Sequence, residues 1–499
     1  MSISIYHIIG IVLAVSLIEV FGIVSMRRVK NSEDFDTGGG RAGTLTVCGI
    51  IMGTLIGGQS TIGTAQLAFS FGISAWWFTL GAALGCVFLA FVYVVRIRKS
   101  GTSTLLEIVS KEYGRKVEVT ASILCSIGIF VSIVAQIVSS SALLMTLFPM
   151  RLWIAALVSA MIMVLFVVFG GVWSAGIGGI VKLVLLCVSS LTAGLVVLYL
   201  SDGYNGLFSN IKGLLTENGF HTISGLSSSE DVMHRYSNLF ARGFGKDIGS
   251  CISVILGVLS TQSYAQGIYA AKSDRVAKKS ALISALLTIP IGAACVFVGL
   301  YMRGHYITAD EYNILAENNI SIPESIGVLT SSAQAFPVFI TTYIPKFIGG
   351  IMLGTLLITV IVGGSGLSLG ASAILVRDVF MQLSSKTGKH ILLASRLTIV
   401  FLLAAAIIIG VAASGGFIND LGFLSMGLRA TAVFIPLTLS MMLPKRFDGK
   451  RMLAAVIIGT IVLLIVKLSA MPVDPTFPGI AAVIVVALTG YKKRLTSNF

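Results

Sequence analysis

The sequence predicts an all-α membrane protein of about thirteen transmembrane helices, and three observations carry that expectation. Of its 499 residues, 56% are apolar and 11% charged, whereas about a quarter are charged in soluble domains. Apolar runs recur from end to end, and ~20 such residues are enough to cross ~30 Å of hydrocarbon as a helix. Basic residues gather on alternate connections between those runs.

In order, the first run, 4–26, is followed rather than preceded by its positive charges, RRVK at 27–30. It has no small-residue cleavage site, so it reads as a span and not as a signal peptide. A polar linker, 27–43, leads to runs at 44–70 and 72–95 and then RIRK at 96–99. Runs at 118–147, 152–170 and 174–200 precede a long polar connection, 201–247, with amphipathic pieces such as LFSNIKGLL. KSDRVAKK at 272–279 separates the runs 248–269 and 280–302, and a second long connection, 303–346, carries acids and prolines. The last runs are 347–376, 391–413, 418–443, 452–469 and 475–491, with basic residues between 377 and 396, PKRFDGKR at 444–451 and KKR at 492–494.

The net charge of +14 is not a nucleic-acid footprint, because its basic residues alternate from side to side. That asymmetry is the positive-inside pattern. It places the six basic regions in the cytoplasm, the N-terminus outside, the C-terminus inside, and 201–247 and 303–346 outside. The chain reads as one multi-pass domain, 1–499, of the plasma membrane, with the bilayer as its partner and no nucleic acid. Its six cysteines stand singly in the runs without a C-x-x-C pair or a Cys/His cluster, which argues against metal and disulfide frameworks. No H-E-x-x-H, G-x-S-x-G or paired intramembrane acid is present, so the chain is not expected to be an enzyme.

Within the second run, IMGTLIGGQSTIGTAQ (51–66) puts a glycine pair and three polar side chains at half-depth. Irregular backbone survives in hydrocarbon only beside protein or a watery cavity. Two readings follow: an unwound helix whose freed carbonyls meet a cation and whose half-helix dipole meets a substrate, or close helix packing through small residues. The ninth run repeats the theme in TVIVGGSGLSLGASA (359–373). Two such segments point to a transporter, and both helices are expected to unwind, at Gly57–Gly58 and at Gly363–Gly364, facing each other.

The ordered pieces SEDFDTGGGRAG, GGQSTIGTAQLAFSFGISAWW, GTSTLLEIVSKEYGRK, FGGVWSA, STQSYAQGIYAAKSDRVAKKSALIS and GGSGLSLGASAILVRDVF resemble the sodium:solute symporter family over roughly residues 30–445. The resemblance implies the LeuT-type fold: two five-helix inverted repeats, 44–200 and 248–443, with one extra helix before them and two after. It implies no cofactor beyond a bound sodium ion, held between the 44–70 helix and the ninth span. Gly53 and Ile56 match the backbone-carbonyl ligands, and Ser60, Thr79, Thr261, Gln262 and Tyr264 match substrate-facing positions.

The departures from the family are specific. Counting back from Asp378, the ninth-span ligand positions are Thr359, Val362 and Gly363. Two hydroxyl ligands are therefore missing unless Ser365 shifts into place. Where the family carries an acid after a glycine pair, this chain reads Gly178-Gly179-Ile180-Val181-Lys182. Lys182 and Arg429 are deep cations, and ionisable groups at half-depth are costly enough to be functional hypotheses. Three readings stay open. Both residues hold exposed carbonyls of broken helices; or one neutralises an anionic substrate, arginine offering a carboxylate its bidentate fork; or Lys182 takes the place of sodium. A desolvated lysine can give up its proton, which would link transport to protons. The expected function is secondary active transport of a small polar organic solute, coupled to sodium by the resemblance or to protons through Lys182. A channel or sensor is the rival class, separated by whether flux saturates.

Overall fold

The computed structural model describes residues 3–492 except 27–31, 37, 169, 217–219, 221–222, 224–227, 384–390, 413–414, 470 and 472. The basic cluster at 27–30, part of the 377–396 stretch and residues 493–494 thus lie outside the described residues. Helices dominate: α1 (Ile5–Met26), α2 (Thr44–Leu55), α3 (Thr64–Phe71), α4 (Trp77–Phe88, continued by a π-turn to Lys99), α5 (Arg115–Leu147), α6 (Leu152–Val167) and α7 (Gly171–Leu200). Then come α8 (Phe244–Leu259), α9 (Gln262–Ala270), α10 (Asp274–Arg303), α11 (Lys346–Ile374), α12 (Ile391–Ala412), α13 (Ile418–Arg429), α14 (Ile435–Met442), α15 (Gly449–Leu468) and α16 (Thr476–Leu488).

Eight described helices are long and apolar enough to cross a membrane, or nine if the pair α8–α9, bent by 44°, is one span. Four more apolar helices are shorter. The expected count of thirteen is not reached by length alone, because breaks shorten individual helices. Gly72, for instance, interrupts the stretch from α3 to α4 with φ of 67°, a backbone region that glycine enters without steric cost.

Glycine contacts bring the helices together. The extra first helix lies on α11, where a Cβ on Gly10 would stand 2.7 Å from the Ile351 amide nitrogen. The α2–α7 contact is tighter still, since a Cβ on Gly49 would meet Gly176 O at 2.2 Å and one on Gly179 would meet Gly49 O at 2.0 Å. Such approaches hold membrane helices together by dispersion, where no hydrophobic drive separates helix from lipid. In the long connections, Leu207, Phe208, Ile211 and Leu215 of the 204–216 helix are buried. A short parallel pair of strands, β1 (Tyr306–Thr308) and β2 (Gly327–Leu329), orders the second connection. It is anchored by Arg303 donating to Glu311 at 2.8 Å. Burial would raise the Glu311 carboxyl, but Arg303 and the hydrogen bonds from Thr308 hold it below the usual glutamate range.

One expectation is overturned here. The chain breaks at Gly57–Gly58 but not at Gly363–Gly364, where α11 is an uninterrupted helix. The second glycine pair serves packing. A Cβ on Gly363 would stand 3.2 Å from the Gly57 Cα, and one on Gly364 2.6 Å from the Met163 sulfur. The two glycine pairs do meet, and the broken helix leans on the whole one.

Candidate functional site

The break in the first core helix follows from its residues. α2 ends at Leu55, and Ile56 is extended, with φ −90° and ψ 97°. A π-turn over Gln59–Gly63 then restarts the helix. The polar groups freed there find partners inside the fold. Gln136 of α5 accepts from the Gly58 amide at 2.7 Å, Ser60 Oγ donates to Leu55 O at 3.2 Å, and Thr61 Oγ1 donates to Gly57 O at 3.0 Å. A Cβ on Gly57 would lie 2.5 Å from the Gln136 amide nitrogen, so only glycine lets Gln136 approach this closely.

Two carbonyls of the break are held by a lysine. Lys182 of α7, 1% exposed, donates from Nζ to Gly53 O at 2.6 Å and also to Ile56 O. The Gly49–Gly179 contact sets this reach by bringing α7 against α2 one turn before the lysine. A substitution that separates the helices should therefore be severe. Gly179→Ala is expected to cost about 3 kcal/mol of stability through overpacking, read as a lowered thermal midpoint. Gly213→Ala, with nothing within 4 Å of its Cβ, should leave the midpoint unchanged.

Opposite these carbonyls, α11 presents Val362. Val362 Cγ1 would lie 3.3 Å from a Cβ on Gly53. The Thr359 hydroxyl donates to Thr355 O at 2.7 Å within its own helix, and Ser365 Oγ donates to Met163 O of α6 at 3.0 Å. Ser365 thus has not shifted into the ligand position that the sequence left open for it. Sodium takes a shell of oxygen ligands. Here the Lys182 nitrogen already occupies two carbonyls and a Val362 methyl lies against Gly53, so the oxygen set for sodium is incomplete in this arrangement.

A second buried cation lies at the end of α13. Arg429, fully buried, donates from Nε to Ser425 O at 3.1 Å and from NH1 to Thr261 Oγ1 at 2.8 Å. Its NH2 donates to Ser132 Oγ at 3.0 Å and Ser425 Oγ at 2.8 Å, and buried Tyr264 lies near the same guanidinium. Gln59 of the π-turn reaches Ser132 at 3.4 Å, which ties this cluster to the broken helix. Gly128 makes room, since a Cβ there would lie 2.9 Å from Arg429 Cγ. Among the described residues no carboxylate pairs with Arg429 or Lys182.

The structure therefore gathers Arg429, Thr261 and Tyr264 in one cluster and Gly53, Ile56, Val362 and Lys182 in another. It directs other candidates elsewhere. Thr79 Oγ1 donates to Trp76 O at 3.1 Å and abuts Gly292 of α10. Gln262 accepts from the Leu105 amide at 2.9 Å and donates to Ser103 O at 3.2 Å, away from the arginine. Sequence reasoning missed Ser132, Ser425 and Gln136. Ser425 had a signal, lying four residues before Arg429 and so on the same helix face.

At the end bearing the basic connections, side chains link distant segments. Arg377 donates to Asp36 at 2.6 Å, Arg98 to Asp274 at 2.6 Å, and Thr104 to Asp378 at 2.8 Å. Burial pushes the Asp36 carboxyl up, although Arg377 beside it pulls it down.

The chain matches the model of the sodium:solute symporter family over residues 35–459. Among solved structures it is similar to a Na+-coupled sialic acid symporter described in a substrate-bound outward-open state. The identity is 15%, the TM-score 0.71, and 98% of this chain and 99% of that one are covered. A nucleobase-cation-symport-1 family transporter in a closed conformation with bromovinylhydantoin bound matches at 13% identity and a TM-score of 0.51, covering 92% and 96%. At these identities the likeness speaks for the fold.

Proposed function

The chain belongs to the sodium:solute symporter family, and on that premise we propose that it is a proton-linked, sodium-independent member that carries a small organic anion across the plasma membrane. As a member of that family it is a membrane transporter of a small organic solute, with a LeuT-type helical fold. What is particular to this chain is the driving ion and the charge of the cargo.

The observation that carries the proposal is the Lys182 ammonium on the Gly53 and Ile56 carbonyls. In its charged form the side chain joins α7 to the broken helix and fills the role of a bound cation. In its neutral form the charge–dipole attraction is lost and the hold on the broken helix weakens. A cycle that protonates Lys182 from outside and releases the proton inside would carry one proton with each substrate. With a monoanion held at Arg429 the net charge moved is zero, so the membrane potential would not oppose it. The alternation of basic loops supports an outside N-terminus and a cytoplasmic C-terminus, which would put the Asp36–Arg377 and Arg98–Asp274 pairs on the cytoplasmic side.

Uptake into proteoliposomes with sodium and proton gradients imposed separately tests this. Saturable uptake of carboxylate solutes driven by an inward proton gradient is expected, at least tenfold above that without a gradient. A sodium gradient alone should add nothing. Strict dependence on sodium overturns the reading, and flux that does not saturate returns the chain to the channel class.

A further inference from the structure

We propose that the outer face of α10 is a binding site for one anionic phospholipid of the leaflet at the basic end of the molecule. The site depends on the membrane location of the chain and not on the coupling reading above.

Arg275, Lys278, Lys279, Leu282, Ile283 and Leu286 line an open groove of about 710 Å³, with Val95 of the α4 continuation on its other wall. These positions recur at helical spacing and so form one stripe along α10. Its first turn and a half is basic and the rest is apolar. From Arg275 to Leu286 the stripe rises ~16 Å at 1.5 Å per residue, about the depth of one leaflet. Arg275 and Lys279 are exposed and Lys278 is half-buried, while Leu286 is 70% exposed. A headgroup at one end and an acyl chain along the other match that order of chemistry.

The charge at the headgroup end is not cancelled. Asp274, the acid in the groove, is taken by Arg98, whose Nε donates to it at 2.6 Å. Three positive side chains then remain at the start of α10, where the unpaired amides and the helix dipole also favour an anion. A basic groove at the membrane surface with an apolar floor is the arrangement that holds anionic lipid headgroups.

Such a lipid would brace the transport core. On its other face α10 meets α2 with Ser280 Oγ 2.9 Å from Thr44 O, Ser284 Oγ 3.4 Å from Cys48 Sγ and Thr288 Oγ1 3.4 Å from the Met52 sulfur. α2 is the helix that ends in the Gly53 and Ile56 carbonyls. Occupancy of the groove therefore stabilises the pair that presents them.

The test is thermal unfolding and lipid titration of the full chain in a neutral detergent. Phosphatidylglycerol should raise the midpoint by several degrees, and phosphatidylcholine and glycerol phosphate should not. R275Q/K278Q/K279Q should weaken phosphatidylglycerol binding on the order of a hundredfold, at about fivefold per positive charge. The surface variant R446Q/K450Q/R451Q should keep it. Equal protection by phosphatidylcholine, protection by glycerol phosphate alone, or full affinity in R275Q/K278Q/K279Q overturns the site. So does protection that tracks protein concentration instead of lipid, which would make the groove a contact between copies.

Discussion

Lys182→Ala should abolish uptake driven by a proton gradient, lowering it at least tenfold, while exchange of labelled for unlabelled substrate continues. Exchange needs the substrate site and the conformational change but no net proton movement, so it separates loss of coupling from loss of transport. The truncated side chain leaves two buried carbonyls, Gly53 O and Ile56 O, without their donor. An unpaired buried acceptor costs ~1–3 kcal/mol, so a lower thermal midpoint is expected as well. Lys182→Gln guards against reading misfolding as uncoupling, because its amide can still donate a hydrogen bond but cannot exchange a proton. It should be better folded than the alanine variant and equally insensitive to the pH gradient. Sodium should rescue neither, because Val362 stays opposite the carbonyls and Ser365 stays bonded to Met163. Sodium-driven uptake unaffected by Lys182→Ala would restore the ordinary family mechanism.

The sequence made the family legible and offered the location of one break, because polar residues after a glycine pair at half-depth fit an unwound helix as well as close packing. The second pair, Gly363–Gly364, carried the same signal and had the opposite outcome. A glycine pair in a membrane helix looks alike whether it unwinds or packs, and the neighbours decide. Gly57 and Met163 press on these two glycines, and neither contact can be read along the chain. The same limit applies to Thr79 and Gln262. The resemblance suggests that they face a substrate, yet both are engaged by local carbonyls and amides, since a one-position change of register redirects a helical side chain by about 100°. Arg429 was legible as a deep cation, but Ser132 of α5 and Thr261 between α8 and α9 were not legible as its partners, since both are distant in the chain.

That set of partners frames the second large expectation, that Arg429→Gln lowers affinity for a carboxylate substrate at least a hundredfold with a smaller effect on folding. Each of its guanidinium's bonds goes to a neutral oxygen of Ser132, Thr261 or Ser425. Four of its five N–H donors are thus engaged, but the charge is not balanced. A buried charge without a counter-ion is costly, and an arriving carboxylate repays part of that cost by taking the planar fork bidentately. Substrate binding should thus be worth more than the hydrogen bonds it displaces. Glutamine can keep some of the neutral bonds, so thermal unfolding without substrate should shift modestly. Arg429→Lys should rescue little, because an ammonium presents a point charge and lacks the paired geometry. The readouts to compare are the thermal midpoint without substrate and the rise in midpoint that a saturating carboxylate produces. If Arg429→Gln lowers the first strongly and leaves the second intact, or if neutral sugars are carried as well as acids, the arginine is a clamp between helices and the cargo is not an anion.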